Sequence, residues 1–464
     1  MEFEICESIE QREPDAIIVG IPEGADGCNP RFAAVANPLF ASGDLPLKPL
    51  ETFMVPGKPK IVFIGVSKIG DAESWRRAAA TVVRRLKKAN TIAFTGGNVR
   101  AIVEGALVGS FSVEAYKTTN NKLALERVVF AGGEAQALHQ GTIIGESINW
   151  ARWLINEPSN RKPPREIAKR SAEMAAAAGL TIDVLDERDI RNLKMGALVG
   201  VSQGSDEPPR VVVLNHRGNP NSSKILAYVG KGITFDSGGI SLKPAEGMEK
   251  MKYDMAGGAT AMAALRSLAL FHAPVNCMAV VPLAENMPGS HAQRPGDVVE
   301  SMSGKTIEVV NTDAEGRLIL ADALVYAERL GATHLVDVAT LTGAARIALG
   351  PFRVGVMGNQ QSFIDSFLAA AQRAGEKMWQ MPLDDEYRDL IKSTIADLAN
   401  SGGRLAGMIT AAKFLQEFVG ETPWIHLDIA STAWNDEEKP YLPKGPSGVA
   451  LRTLVEFAQG FADA

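Results

Sequence analysis

Short β-branched runs alternate with stretches of helical periodicity along almost the whole of this chain. Parallel βαβ layering is the commonest way to bury both kinds of apolar face in such a pattern. In the first third, DAIIVGI (15–21), KIVFIGV (60–66) and NTIAFTGG (90–97) read as strands. Between the last two, ESWRRAAATVVRRLKKA (73–89) repeats Trp75, Ala79, Val82, Val83 and Leu86 at helical spacing, with most of its basic residues on the other side. A long helical stretch over 134–156 then runs into EPSNRKPP, a proline-rich polar segment and the best linker candidate in the chain. Beyond it the pattern restarts, with LTIDVLD, PRVVVLNH, KILAYVG, VNCMAVVPL, TIEVVN, THLVDVATL and WIHLDIA as strand candidates. The expected fold is α/β: a smaller N-terminal α/β domain over residues 1–155 and a larger C-terminal α/β domain over 156–464, whose central mixed sheet is flanked by helices.

The 464 residues suit two or three domains at roughly 150 residues each. A net charge of −6, with no basic block interleaved with aromatics, argues against nucleic acid as the main partner. The acidic, mixed start MEFEICESIEQREPDAII lacks the basic and apolar regions of a secretory signal. No apolar run approaches the ~18 residues that a membrane span needs. Cys6, Cys28 and Cys277 are too scattered for a disulfide framework or a CxxC metal site. The expectation is a cytoplasmic protein with no membrane partner.

In open α/β sheets, ligands bind where strands end and loops lead into helices. Three such places in the second half carry acids. AYVGKGITFDSGGISLKP (227–244) follows a strand and supplies Lys231, Asp236 and Lys243, with Gly238 and Gly239 allowing close backbone approach. MKYDMAGGATAMAALRSLAL (251–270) opens a helix with Asp254 at or near its N-cap. VVNTDAEGRLILADAL (309–324) sets Asp313, Glu315 and Arg317 between two apolar flanks. Taken singly, each acid reads as a helix cap that suits the helix dipole, and Lys231 reads as a solvated charge. Taken together, four carboxylates in apolar surroundings would repel one another, and each buried charge costs several kcal/mol. Two divalent cations would cancel them. Hard oxygen donors with few histidines suit Mn²⁺, Mg²⁺ or Zn²⁺, and two-metal hydrolases hold their ions about 3.5–4 Å apart. That reading requires the three seams to converge in space.

Competing motifs fail on inspection. SGKT (303–306) resembles the tail of a phosphate loop, but Val299 stands where its first glycine is needed. GPSGV (445–449) misses the nucleophile elbow because Val449 replaces the last glycine. There is no HExxH, and His334 and His426, in strand-like runs, read as satisfied core or surface residues rather than ligands.

NTDAEGRL (311–318) is similar over its whole length to the signature octapeptide of the leucine aminopeptidase family, the two-metal cytosolic leucyl aminopeptidases. VGKGITFDSGGISLKP (229–244) and DMAGGA (254–259) resemble two further blocks in the same order, and AENMPGSHAQRPGDV (284–298) through LADAL (320–324) fits as well. The resemblance is specific over residues 225–345 and looser from 145 onwards, with NEPSN (156–160) at the domain junction. It implies that the C-terminal domain is catalytic and cleaves the first peptide bond of its substrates, releasing leucine and other N-terminal residues. It also implies that Lys231, Asp236, Asp254, Asp313 and Glu315 are metal ligands for two divalent ions, Mn²⁺ or Zn²⁺. The tighter ion would take Lys231, Asp236, Asp254 and Glu315, and the exchangeable one Asp236, Asp313 and Glu315. Lys243 and Arg317 match the two catalytic positions, one stabilising the developing oxyanion and the other holding a bicarbonate ion. Met251, Thr340 and Gly343 match substrate-pocket positions. A lysine ligates only as a neutral amine, so Lys231 would need burial and nearby cations.

The resemblance further implies a homohexamer built from two trimers. The chain departs from the family around PKGPSGVALRTL (443–454) and at Ser431, where a glycine is usual. Two alternatives stand beside the aminopeptidase. One is a dipeptidase that prefers cysteinyl-glycine, which a dipeptide panel set against longer peptides would separate. The other is a secondary DNA-binding role, for which salt-dependent retardation of duplex DNA would be the sign.

Overall fold

The computed structural model describes residues 1–119 and 123–461. The chain forms two compact units, Met1–Asn149 with Asn435–Gly445, and Trp150–Trp434 with Pro446–Ala464.

The first unit is built on six strands in the order Glu2–Cys6, Arg127–Ala131, Thr91–Phe94, Ala16–Pro22, Lys60–Val66 and Thr52–Val55. All neighbours run parallel except the last pair. The helix expected over 73–89 spans Ala72–Arg85, capped by the Asp71 side chain on the Glu73 N–H. Strand order reverses between Ala16–Pro22 and Thr91–Phe94, where a sheet of this type opens a ligand crevice. Here the indole of Trp75 fills that place. Its N–H donates to the Ile69 carbonyl, and a Cβ on Gly20 or Gly97 would collide with the ring.

The second unit carries a nine-stranded mixed sheet. Its order is Met378–Gln380, Val354–Gly358, Trp424–Asp428, His334–Ala339, Leu226–Gly230, Asn276–Asn286, Arg210–Arg217 and Thr181–Leu185, with Gly232–Asp236 pairing the Asn276–Asn286 strand off this path. The four central strands, from Trp424–Asp428 to Asn276–Asn286, are mutually parallel, and antiparallel pairs flank them. Leu226–Gly230 is buried along its whole length, as expected of a strand covered on both faces. Small residues let helix Ala256–Leu270 lie close on this layer: a Cβ on Gly257 would run into the Val338 carbonyl.

All of the strands read from the sequence are present. The sequence reading missed several short ones, among them Glu2–Cys6, Gly232–Asp236, Val354–Gly358 and Leu398–Ala399. The capping reading of the acids is corrected. Asp254 lies two residues before helix Ala256–Leu270, whose N-cap is Met255 with no side-chain cap bond. Glu315 stands at the N-cap of helix Gly316–Arg329, yet its side chain caps nothing. Both carboxylates turn towards other charges instead.

Candidate metal centre

The sheet order reverses about Leu226–Gly230, which has the later strands Asn276–Asn286 on one side and His334–Ala339 on the other. The carboxyl ends of the central strands therefore border a switch point, where side chains from separate loops meet. Lys231 leaves the end of Leu226–Gly230, Asp236 ends Gly232–Asp236, and Thr340 follows His334–Ala339. The Asp313–Arg317 loop arrives from strand Thr306–Val309, which belongs to a separate three-stranded sheet.

These residues converge. Oxygens of Asp236, Asp313 and Glu315 all lie within 4.8 Å of one another. Asp254 joins them through Lys231, whose Nζ is 2.7 Å from Asp254 Oδ2 and 2.8 Å from Glu315 Oε1. The same amine donates to the Thr340 carbonyl at 3.0 Å. Lys243 Nζ spans the other side, 2.8 Å from Asp236 Oδ2 and 2.5 Å from Asp313 Oδ1. Lys231, Asp236, Asp254 and Glu315 are buried, whereas the Asp313 side chain keeps 34% of its surface exposed and so faces the approach. The loop that brings Lys243 back turns on Gly238 and Gly239, whose φ of 88° and 67° are left-handed.

Burial pushes the Asp236 carboxyl up to about 6, helped by the neighbouring charge of Glu315. Burial likewise raises Asp254 and Asp313. It would raise Glu315 too, but Lys231 and Lys243 outweigh it and hold that carboxyl below its ordinary value. Burial disfavours charge on the two lysines, yet the surrounding acids hold both amines above their usual range. Four acids thus face two ammonium groups, and the cage remains short of positive charge.

The donors fit divalent cations. Glu315 Oε2 is buried without a hydrogen-bond donor among the described residues. Asp254 Oδ2 and Asp313 Oδ1 have no well-directed hydrogen bond either, only the close lysine amines. Carboxylates with one amine form a hard donor set suited to Mn²⁺, Zn²⁺ or Mg²⁺. Asp236 Oδ1, by contrast, is tied off by the Gly238 N–H at 2.9 Å and Asn286 Nδ2 at 2.8 Å, which leaves Oδ2 for the cage.

Arg317 sits in the first turn of helix Gly316–Arg329, buried, with Nη1 donating to the Asn400 carbonyl at 2.8 Å. Its Nε has no acceptor among the described residues, and burial lowers the guanidinium to about 10. Of the three pocket positions, Thr340 reaches the cage by its side chain, its hydroxyl donating to Asp254 Oδ1 at 2.7 Å, and Met251 by its backbone, its carbonyl accepting from the Asp254 N–H at 3.3 Å. Met251 is half-buried in the short turn Met248–Tyr253, and Gly343 is exposed at the start of helix Gly343–Leu349. His426 is buried against Asp337 at 2.5 Å, a core pair rather than part of the cage.

Sequence reasoning missed three supporting residues. Asn286 donates from Nδ2 to both Asp236 Oδ1 and the Thr312 carbonyl, joining two acid-bearing loops. As the polar end of a long apolar strand it carried a signal. Thr312 accepts from the Ser241 N–H and donates to the Gly238 carbonyl. Asn400, in LANSGG, carried none.

Comparison with known proteins gives the family of the chain. Residues 149–455 match the catalytic domain of the cytosol aminopeptidase family, and residues 48–120 match its N-terminal domain. By class, then, this is a metal-dependent aminopeptidase, a hydrolase acting on peptides. The chain belongs to the cytosol aminopeptidase family, as its leucine aminopeptidase motifs imply. It is 49% identical to a probable cytosol aminopeptidase of Solibacter usitatus (strain Ellin6076), covering 97% of each chain. It is 46% identical to one of Koribacter versatilis (strain Ellin345), over 97% of this chain and 98% of the relative. Among solved structures, the bottromycin maturation enzyme BotP in complex with Mn superposes with a TM-score of 0.88 at 35% identity, over 97% of this chain and 99% of that one.

Proposed function

We propose that this aminopeptidase holds two divalent ions, Mn²⁺ or Zn²⁺, and uses them to release leucine and other residues from peptide N-termini. Lys231, Asp236, Asp254 and Glu315 would hold one ion, and Asp236, Asp313 and Glu315 the other. The observation that carries this reading is the convergence of four carboxylates on two lysines at the switch point. When bound, the ions would supply Lewis acidity and make a water acidic enough to act as a nucleophile near neutral pH.

The chain's own residues do the rest. Lys231 would serve as a neutral amine donor, its proton passing to solvent because nearby cations disfavour its charged form. Lys243, on the more exposed side of the cage, stabilises negative charge developing on the scissile carbonyl oxygen. Arg317 has the planar fork that suits a bicarbonate ion, a proton acceptor beside the reacting bond. Asp313, open to solvent, meets the substrate's free α-amine, which restricts cleavage to the first peptide bond. Met251, Thr340 and Gly343 would border the side chain of the departing residue.

The same reading divides the chain at 155/156 into an N-terminal α/β domain and the catalytic domain, and places the protein in the cytoplasm. It also makes the protein a homohexamer, for which exposed Ile347, Phe352 and Leu405 offer apolar packing surface. Light scattering checks the assembly, and a monomeric mass removes that part alone. The activity is tested on metal-stripped protein with leucyl anilide as substrate. Hydrolysis restored by Mn²⁺ or Zn²⁺ supports the reading, and no hydrolysis in any metal contradicts it.

A further inference from the structure

Loop 310–315 carries two of the acids and leads directly to Arg317, yet few of its own bonds shape it. Within it the Asn311 side chain accepts from the Asp313 N–H at 2.9 Å, and the Asn311 carbonyl accepts from the Ala314 N–H at 3.2 Å. Thr312 in its middle is held by Ser241, Gly238 and Asn286, and the bonds on either side of it come from a residue far along the chain. Strand Leu398–Ala399 pairs in parallel with Ile307 and Glu308, and the Asn400 N–H extends that ladder to the Glu308 carbonyl at 2.9 Å. There the partner strand ends and the loop begins. The Asn400 side chain then takes over the pairing: its Oδ1 accepts from the Val310 N–H at 2.9 Å and the Asn311 N–H at 3.2 Å. Its Nδ2 donates to the Asn311 carbonyl at 2.7 Å and the Ala314 carbonyl at 3.3 Å. Its own carbonyl accepts from Arg317 Nη1 at 2.8 Å. Asn400 is fully buried, so no water replaces these bonds.

We propose that Asn400 is a positioning residue that sets the loop geometry of Asp313 and Glu315 and the aim of Arg317 together. Its carboxamide acts on the metal-binding acids through the backbone of their neighbours Val310, Asn311 and Ala314, while its carbonyl acts on the anion-binding arginine. This role rests on the metal reading given above. A buried partner that only stabilised the fold would change the melting temperature and leave the metal affinity of the folded protein alone. A positioning residue changes metal affinity in a protein that still folds, and outer partners of metal ligands are typically worth about tenfold to a hundredfold in affinity.

The test is Mn²⁺ titration of the metal-stripped full chain, with free Mn²⁺ followed by electron paramagnetic resonance, alongside thermal melts without metal. The variants are Asn400→Ala and Asn400→Ser; the serine keeps one hydroxyl to accept and donate. Binding by Asn400→Ala is expected to weaken by about tenfold or more while the metal-free protein still melts cooperatively, with Asn400→Ser in between. Affinities within about twofold of the unmodified chain in either folded variant overturn the role. So does loss of the fold in both, which would make Asn400 a folding residue only. An unmodified chain that takes up no Mn²⁺ overturns the metal reading itself and the role built on it, a result distinct from the others.

Discussion

Lys243 and Arg317 approach the reacting bond with different chemistry, and their substitutions are expected to differ accordingly. Lys243 lies between Asp236 and Asp313 and supplies a point charge. In Lys243→Ala, kcat for leucyl anilide is expected to fall by about 10²–10³, as when an oxyanion donor is removed, while bound Mn²⁺ measured by mass spectrometry stays at the unmodified level. Arg317→Lys keeps the charge and loses the fork, so stimulation by added bicarbonate is expected to disappear, as an assay across bicarbonate concentrations would show. Protonation acts on the cage itself. The metal-free Asp236 carboxyl is raised to about 6, so below that pH it holds a proton that any incoming cation must displace. Mn²⁺ retention is expected to fall as pH drops through about 6 and to be restored above it, read by metal content after dialysis at a series of pH values. Retention that stays flat across that window would contradict competition between this proton and the ion.

The cage depends on how closely helix Ala256–Leu270 rests on the sheet, because Asp254 precedes that helix and Thr340 leaves the strand beneath it. Gly257→Ala sets two effects against each other. Alanine favours a helix over glycine by about 1 kcal/mol, whereas a Cβ here runs into the Val338 carbonyl, and overpacking costs about 1–3 kcal/mol. Overpacking should win: a lower urea midpoint is expected together with weaker Mn²⁺ binding, and a raised midpoint would mean that the helix shifts without strain. Elements of this kind were largely legible from sequence. Strands such as Lys60–Val66 and His334–Ala339 announce themselves by β-branched runs, and the acids at the strand ends were visible as charge interrupting apolar sequence. The orientation of those acids was not. Asp at a helix start resembles a cap, and only its contacts with Lys231 and Thr340 show that it faces inward. Asn400 was invisible, because its partners lie more than eighty residues away and its neighbours Leu398, Ala399 and Ser401 carry no chemistry.

At the scale of the whole molecule, the two units treat their switch points in opposite ways. In the first unit Trp75 packs the place between the diverging strands, and in the second that place gathers four acids and two lysines. Sheet order alone was common to both and did not distinguish a filled crevice from a working one; side-chain chemistry did. The acid-rich centre carries an electrostatic cost that cations relieve, so metal should stabilise the protein. A ligand at a hundredfold excess over its Kd contributes about 2.7 kcal/mol, and a higher urea midpoint in Mn²⁺ than in chelator is the expected readout. The most direct test of the centre is the number of ions bound. Mn²⁺ per chain, measured by elemental analysis after equilibration and removal of free metal, is expected to be two in the unmodified protein and no more than one in Asp254→Ala. An unmodified chain that holds no Mn²⁺ or Zn²⁺, or an Asp254→Ala variant that still holds two ions, would contradict a metal centre built on these carboxylates.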